Sequence, residues 1–376
     1  MKTVNENFLC HPSVIAVEDE YQIIVPVKER MLFWVEIGGK RICDHANGIL
    51  RSETMVHRVN VPMTLLDEAK KYTVVFRKVI DRQPYFPKFF KEVRVEYDFR
   101  PLTKTEDIHM YMLSDVHGMR EESVKAASYF GDKLDVLLMN GDIANHSGNV
   151  ENICLAFEII SDITGGEIPV IFSRGNHDNR GLCAELLPQI TPNYNGRTFY
   201  TVKLGPIWAA LVDCGEDKED AQEEYGGTIC FSDFRDEEEL WLDRVCDKKE
   251  FENFRYKFII SHIPFTWNNT EADEFGNHPF NIEVERYTRW AKKIKDGIKP
   301  DLMLCGHLHR LAVSDVGGEF DCKGQPCPVL IGAMPMRKEG RYIGSAIVLN
   351  PTEAEIKFTD DNSNVVGEGK VCFGVG

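Results

Sequence analysis

The chain has 376 residues, more than a single compact core usually holds, so two domains are expected. Hydrophobic residues at 43% and charged residues at 28% exclude a disordered chain, and 44 basic against 60 acidic side chains leave a net charge of −16. Such a surface repels nucleic acid and anionic membranes unless a local patch reverses it, so neither is an expected partner; a small phosphate ester stays admissible, because bound metal ions bring their own positive field.

Met1–Asn7 is polar, without an apolar core of signal-peptide length, and no later run reaches membrane-spanning length, which predicts a cytoplasmic protein. Residues 1–103 then read as all-β. Short runs rich in Val, Ile and aromatics recur at Ser13–Val17, Tyr21–Val27, Met31–Ile37, Val56–Val61, Tyr72–Val79 and Val93–Phe99. Gly38-Gly39 and Asn47-Gly48 mark turns between them, which predicts a sandwich. Leu66 followed by Tyr72 resembles the tyrosine-corner entry of a fibronectin-III-like strand.

After the polar connector Pro101–Asp107 the rhythm becomes strand, loop, helix, which predicts a second, α/β layered domain over 104–376. Strands are expected at Ile108–Leu113, Leu134–Met139, Ile168–Phe172, Phe199–Leu204, Trp208–Val212, Tyr256–Ile260 and Asp301–Cys305. Helices are expected at Glu121–Phe130, Val150–Ile163, Glu237–Cys246 and Ile282–Ile298, and the tail from Arg310 onward reads as antiparallel strands. The acidic run Glu216–Glu224 reads as a solvated loop. Eleven scattered cysteines without a CxxC pair, several inside apolar runs such as Leu302–Cys305, are expected to be reduced and buried.

The chemistry lies where these apolar strands stop. Ile108–Leu113 runs into Ser114-Asp115-Val116-His117-Gly118, Leu134–Met139 into Asn140-Gly141-Asp142, and Ile168–Phe172 into Arg174-Gly175-Asn176-His177-Asp178. Tyr256–Ile260 ends in Ser261-His262, and Asp301–Cys305 in Gly306-His307-Leu308-His309. Buried polar groups need a partner, so such clusters are candidate ion-holding positions. Side chains alternate along an extended segment, so Asp115 with His117, and His307 with His309, are expected to face one place. Gly118, Gly141, Gly175 and Gly306 would let backbones approach closely there. Any one cluster taken alone is equally a hydrogen-bonded core histidine or a turn aspartate; five in succession, each closing a strand, are not.

The ordered series DxH, GD, GNHD, strand-terminal His and GHxH resembles that of the calcineurin-like metallophosphoesterase superfamily, over residues 108–310. The resemblance implies a four-layer α/β sandwich, two mixed β-sheets flanked by helices, with a dinuclear metal centre. It implies that Asp115, His117 and His309 hold one metal, that Asn176, His262 and His307 hold the other, and that Asp142 bridges them. His177 matches the family's non-ligand histidine beside the leaving group, with Asp178 as the carboxylate that orients it. Mixed carboxylate, amide and imidazole ligands suit Mn, Fe or Zn, and two such ions would activate a bridging hydroxide to attack phosphorus, with His177 as general acid.

An all-β domain ahead of this one, immunoglobulin- or fibronectin-III-like, is similar to the arrangement in purple acid phosphatases. Those carry DxG and GDxxY where this chain has Asp115-Val116-His117 and Gly141-Asp142-Ile143-Ala144-Asn145, so neither purple colour nor an obligate ferric ion is expected. Protein phosphatases place Asp-Arg after the GD motif, where Asn145-His146 stands here. Arg174, Asn145 and His146 are candidate substrate contacts, with structural ion pairing the alternative for Arg174 and Arg180. The polar-aromatic insertion Phe265–Phe280, with Trp267, Phe275, His278 and Phe280, is either a cover for the site or a packed crossover. The expected activity is hydrolysis of a small phosphodiester or phosphomonoester; the alternatives are a protein phosphatase and an idle metal-binding scaffold.

Overall fold

The computed structural model describes residues 3–268 and 282–374. Its central strand, Ile108–Leu113, pairs in parallel with Val136–Asn140 and antiparallel with Arg341–Leu349, and Val170–Ser173 follows Val136–Asn140 in parallel. Strands covered on both faces must be apolar throughout, which is why these runs lack the alternation of a half-exposed strand. A second sheet of six strands contains, in spatial order, Tyr200–Leu204, Ile207–Leu211, Tyr256–Ile260, Leu302–Cys305, Val329–Gly332 and Leu311–Ser314.

The two sheets face each other across one core, where Met110, Met112, Leu138 and Ile171 of the first meet Leu211, Phe258, Ile260 and Leu304 of the second. The helices Arg120–Ala127 and Val150–Thr164 cover the outer face of the first sheet through Ala126, Phe157 and Ile160. Helices Phe231–Lys248 and Val284–Gly297 cover the second through Leu242, Trp290 and Ile294. The result is the helix, sheet, sheet, helix layering expected for 104–376.

The N-terminal strands divide between two sheets. Ser13–Val17, Glu20–Pro26 and Val56–Pro62 extend the first sheet to ten strands, with Ile15 opposite Val170. Lys40–Cys43, Met31–Ile37, Lys71–Asp81 and Val93–Asp98 build a separate sheet of five strands with the short Lys88–Phe89. Apolar side chains from both sets, among them Val14, Ile23, Phe33, Val59 and Phe76, belong to the same core as the inter-sheet residues. Residues 1–103 therefore form two facing sets of strands, but they do not close on themselves.

Tyr72 makes the same point. Its hydroxyl donates to the Gly166 carbonyl at 2.8 Å, across to the α/β part, instead of to the backbone just upstream as a tyrosine corner does. Nor is the region all strand, since Met63–Ala69 is a short helix. In the tail, Val329–Gly332 pairs antiparallel with Leu311–Ser314, as expected, and on its other side runs parallel to Leu302–Cys305. The edge strand Val365–Cys372, with two glycines and two charges, lacked a legible pattern. All eleven cysteines are free. Among the described residues no helix is long and apolar enough to cross a membrane.

Candidate metal centre

The polar clusters collect beyond the carboxyl ends of strands from both sheets, as ligands do in α/β folds. The means differs from simple strand alternation. Asp115, His117, Asp142, His307 and His309 all have left-handed backbones, with φ of +52°, +49°, +56°, +68° and +48°. Non-glycine residues adopt this region at a cost and keep it where the surroundings hold them there, most often at functional sites. The pairs Asp115/His117 and His307/His309 thus converge through two tight turns and not through an extended segment.

Glycines make room for those turns. A Cβ on Gly175 would overlap the Asp142 carboxylate, and one on Gly306 would overlap the Ser114 hydroxyl and the Asp115 carboxylate. Both sites require the absence of a side chain.

Two groups of donors result. Asp115, His117 and His309 form the first, and Asp142, His262 and His307 the second, each with ligand atoms within 4.8 Å of one another. In the first, His117 Nε2 lies 3.0 Å from His309 Nε2, and His309 Nε2 lies 3.4 Å from Asp115 Oδ1. In the second, His262 Nε2 lies 3.2 Å from Asp142 Oδ2. The same Asp142 Oδ2 is 4.0 Å from His117 Nε2, so one oxygen faces both groups. Donors about 2.1 Å from a transition metal are separated by roughly 3.0–3.4 Å from each other, the spacing of His117 to His309, His309 to Asp115 and His262 to Asp142, while His117 stands wider, at 4.0 Å, from both carboxylates.

Several of the remaining lone pairs and N–H groups are tied off behind the site. Asp115 Oδ2 accepts from Ser114 Oγ, the N–H of His307 is shared between Oδ2 at 2.8 Å and Oδ1 at 3.1 Å, and Oδ1 also faces His309 and His262. Asp142 Oδ1 accepts from His177 N at 2.8 Å, leaving Oδ2 inward. His262 Nδ1 lies 2.7 Å from the Asn140 carbonyl, which fixes a proton there and frees Nε2.

Asn176 brings its Oδ1 to 2.8 Å from His307 Nδ1. Two acceptors so placed are relieved either by a cation between them or by turning the amide, which would let Asn176 donate to His307 Nδ1. With Oδ1 inward, the amide nitrogen points to Glu216 Oε2 at 3.4 Å and the far nitrogen of His307 to Asp217 Oδ2 at 3.3 Å. The donor set therefore fits two cations.

Electrostatics agree. Burial alone would raise the Asp142 carboxyl, yet His262, His177 and His117 bring it far below the usual range. Burial likewise opposes charge on His262, but Asp142 and Asp115 outweigh it and push His262 up to about 10. Burial takes His117 down to about 3 despite the same carboxylates. The pocket is an anionic hole that demands positive charge.

Several expectations need correction. The acidic run at Glu216 is not solvated at its start: Glu216 is 0% and Asp217 6% exposed. Glu216 binds Arg180 through both oxygens at 2.7 and 2.8 Å and accepts from Tyr225 at 2.9 Å. Charge-run reasoning missed these two residues; their position just beyond the strand Ile207–Leu211, which carries no histidine, was the available signal. Asp178 does not orient the His177 ring. Its Oδ2 accepts from the backbone N–H of Gly175 at 2.8 Å and of Asp142 at 3.2 Å, while His177 Nδ1 donates to the Asn145 carbonyl at 2.9 Å.

His177 Nε2 lies 4.0 Å from Asp142 Oδ2, and His117, Asp142 and His177 also fall within ligand distance of one another. Arg174 takes the structural alternative, held by Asp213 through two nitrogens at 2.7 Å, and is 12% exposed. His146 turns from the site, accepting from Gly148 N at 3.0 Å near the start of the helix Val150–Thr164. Trp267 packs against Phe320, whereas Phe275, His278 and Phe280 lie outside the described residues.

The model of the calcineurin-like phosphoesterase family matches residues 108–311, more than half of the chain. The chain belongs to the calcineurin-like phosphoesterases. It is similar in fold to a purple acid phosphatase, PPD1, from yellow lupin (Lupinus luteus) seeds, with a TM-score of 0.56 at 10% identity over 98% of this chain and 75% of that one. A structure of PhoD gives a TM-score of 0.55 at 10% identity over 99% of this chain and 90% of that one. No curated protein matches the chain in sequence. Membership makes this calcineurin-like phosphoesterase a metal-dependent phosphoesterase, and folds of this family use a dinuclear metal centre.

Proposed function

We propose that this phosphoesterase hydrolyses a small phosphodiester or phosphomonoester at the paired donor groups. The observation that carries the reading is Asp142 Oδ2, a single carboxylate oxygen facing His262 at 3.2 Å and His117 at 4.0 Å. Asp115, His117 and His309 would hold one ion and Asn176, His262 and His307 the other, with Asp142 shared. Imidazole, amide and carboxylate donors favour Mn, Fe or Zn over Mg or Ca. When bound, two such ions supply Lewis-acid charge to phosphoryl oxygens and make water acidic enough to attack phosphorus near neutral pH.

The chain's own residues do the rest. His177 is tethered by Nδ1 to the Asn145 carbonyl, so Nε2 is the nitrogen that hands a proton to the departing oxygen. Asp178 holds the backbone of Asp142 and Gly175 and so fixes the shared carboxylate.

The test is turnover. Metal-free protein reloaded with Mn, Zn or Fe is assayed on bis-p-nitrophenyl phosphate, p-nitrophenyl phosphate and a phosphoserine peptide. Turnover of either small ester supports the proposal. Turnover of the peptide alone makes it a protein phosphatase, and bound metal without turnover of any of the three makes it a scaffold.

A further inference from the structure

A phosphate ester anion needs positive charge at the mouth of the site as well as at its floor. The two arginines that flank the GNHD cluster cannot give it. Arg174 is closed on Asp213, with its guanidinium against Phe231 and Phe234 at 5.8 and 5.5 Å from the ring centres. Arg180 spends Nε and Nη2 on Glu216 and Nη1 on Glu224 at 3.2 Å.

Arg337 is differently placed. It begins the turn Arg337–Glu339, which joins the strand Met334–Met336 to Arg341–Leu349. Arg341–Leu349 runs antiparallel to Ile108–Leu113, with Ser345 opposite Met112, so its Arg341 end lies where Ile108–Leu113 enters the metal centre. Tyr342 locks this register: its hydroxyl donates to the Ser114 carbonyl at 2.5 Å and accepts from Ser114 N at 3.0 Å.

The Arg337 side chain then reaches Asn145, donating from Nη2 to Oδ1 at 2.8 Å. Asn145 in turn donates through Nδ2 to the His117 carbonyl at 3.3 Å and accepts from His177 through its own carbonyl. Arg337 is therefore one residue away from both histidines. It is exposed, and among the described residues no carboxylate is paired with it. Among the described residues, Asn145 is the hydrogen-bond partner found for its guanidinium, which leaves further N–H groups for a ligand.

We infer that Arg337, held by Asn145, binds the non-bridging phosphoryl oxygens of the substrate. A guanidinium matches two oxygens of a phosphoryl group in a way an ammonium does not. An added cation attracts a phosphomonoester dianion more than a diester monoanion, so Arg337 tilts selectivity toward monoesters and retains inorganic phosphate. The inference rests on the phosphoesterase reading above and assigns the same site a specificity residue.

Calorimetric titration of metal-loaded protein with inorganic phosphate tests it without relying on turnover. Arg337→Ala weakens phosphate binding about 10-fold, from the usual worth of a hydrogen bond to a charged group. Arg337→Lys restores part of the loss, and Lys338→Ala, a change at the neighbouring exposed cation, leaves binding as in the wild type. In the assay, Arg337→Ala raises KM for p-nitrophenyl phosphate more than for bis-p-nitrophenyl phosphate, with kcat little changed. Equal phosphate affinity in wild type and Arg337→Ala, an equal effect of Lys338→Ala, or no phosphate binding by the wild type overturns the inference. Absence of turnover in the wild type overturns the phosphoesterase reading alone, and the calorimetric comparison still decides Arg337.

Discussion

The metal centre works residue by residue, because Asp115, Asp142, His262 and His307 each have an atom held from behind and another facing inward. Asp217 ties off the far nitrogen of His307, and partners of this kind typically contribute about 10–100-fold to metal affinity. Asp217→Asn is therefore expected to lose one metal ion during dialysis against a weak chelator while wild type keeps both, measured by elemental analysis; equal retention would show that the contact is incidental. His177→Ala is expected to keep both ions and to lose about 10²–10⁴-fold in rate, most with poor leaving groups. A uniform loss across leaving groups would remove the proton-donor role, and loss of an ion would make His177 a ligand. Gly175→Ala puts a methyl into the Asp142 carboxylate and is expected to release metal in the same elemental analysis. At this scale the sequence was most legible. Histidines and aspartates that stop apolar runs announce themselves, whereas Glu216, Asp217 and Arg337 sit in stretches whose composition looks like ordinary surface. The Asp178 carboxylate was legible as part of the site, but its direction was not, since neighbours in sequence do not reveal which backbone amides will be nearby.

At the scale of elements, the loops hold because the strands behind them are fixed. The hydroxyl of Tyr342 bonds both the N–H and the carbonyl of Ser114, joining the strand Arg341–Leu349 to the turn that carries Asp115 and His117. Tyr342→Phe strands two backbone groups inside the core, at a cost of about 1–3 kcal/mol. Urea unfolding is expected to show a loss of that size, and an unchanged midpoint would mean the turn is held by other contacts. The helix expected at Val150–Ile163 forms as Val150–Thr164, with Asn149 accepting from Asn152 N at its start and Gly165 closing the far end. The helix Phe231–Lys248 was legible only from Glu237 onward, because Cys230 offers no local cap and the first-turn N–H groups of Phe231 and Ser232 are instead bound by Asp220, distant in sequence. Phe231 itself is buried, with Cβ space at Gly215 filled by its ring.

For the molecule as a whole, composition suggested two domains and the core suggests one cooperative unit. Ser13–Val17 lies beside Val170–Ser173 in a continuous sheet, and one apolar core runs from Phe33 and Phe76 to Phe258 and Leu304. Sequence shows where strands are but not which sheet they join, because Ser13–Val17 is apolar enough for either. Differential scanning calorimetry is expected to give a single transition; two resolved transitions would mean that residues 1–103 unfold on their own.

The central claim is that two ions, sharing Asp142, make one catalytic centre. Metal-free protein titrated with Mn, with bound metal and p-nitrophenyl ester hydrolysis followed together, tests it most directly. The rate is expected to stay near zero through the first equivalent and to rise with the second, and Asp142→Ala is expected to remove both the second equivalent and the rate. Full activity at one bound ion, or two bound ions without hydrolysis, would contradict the account.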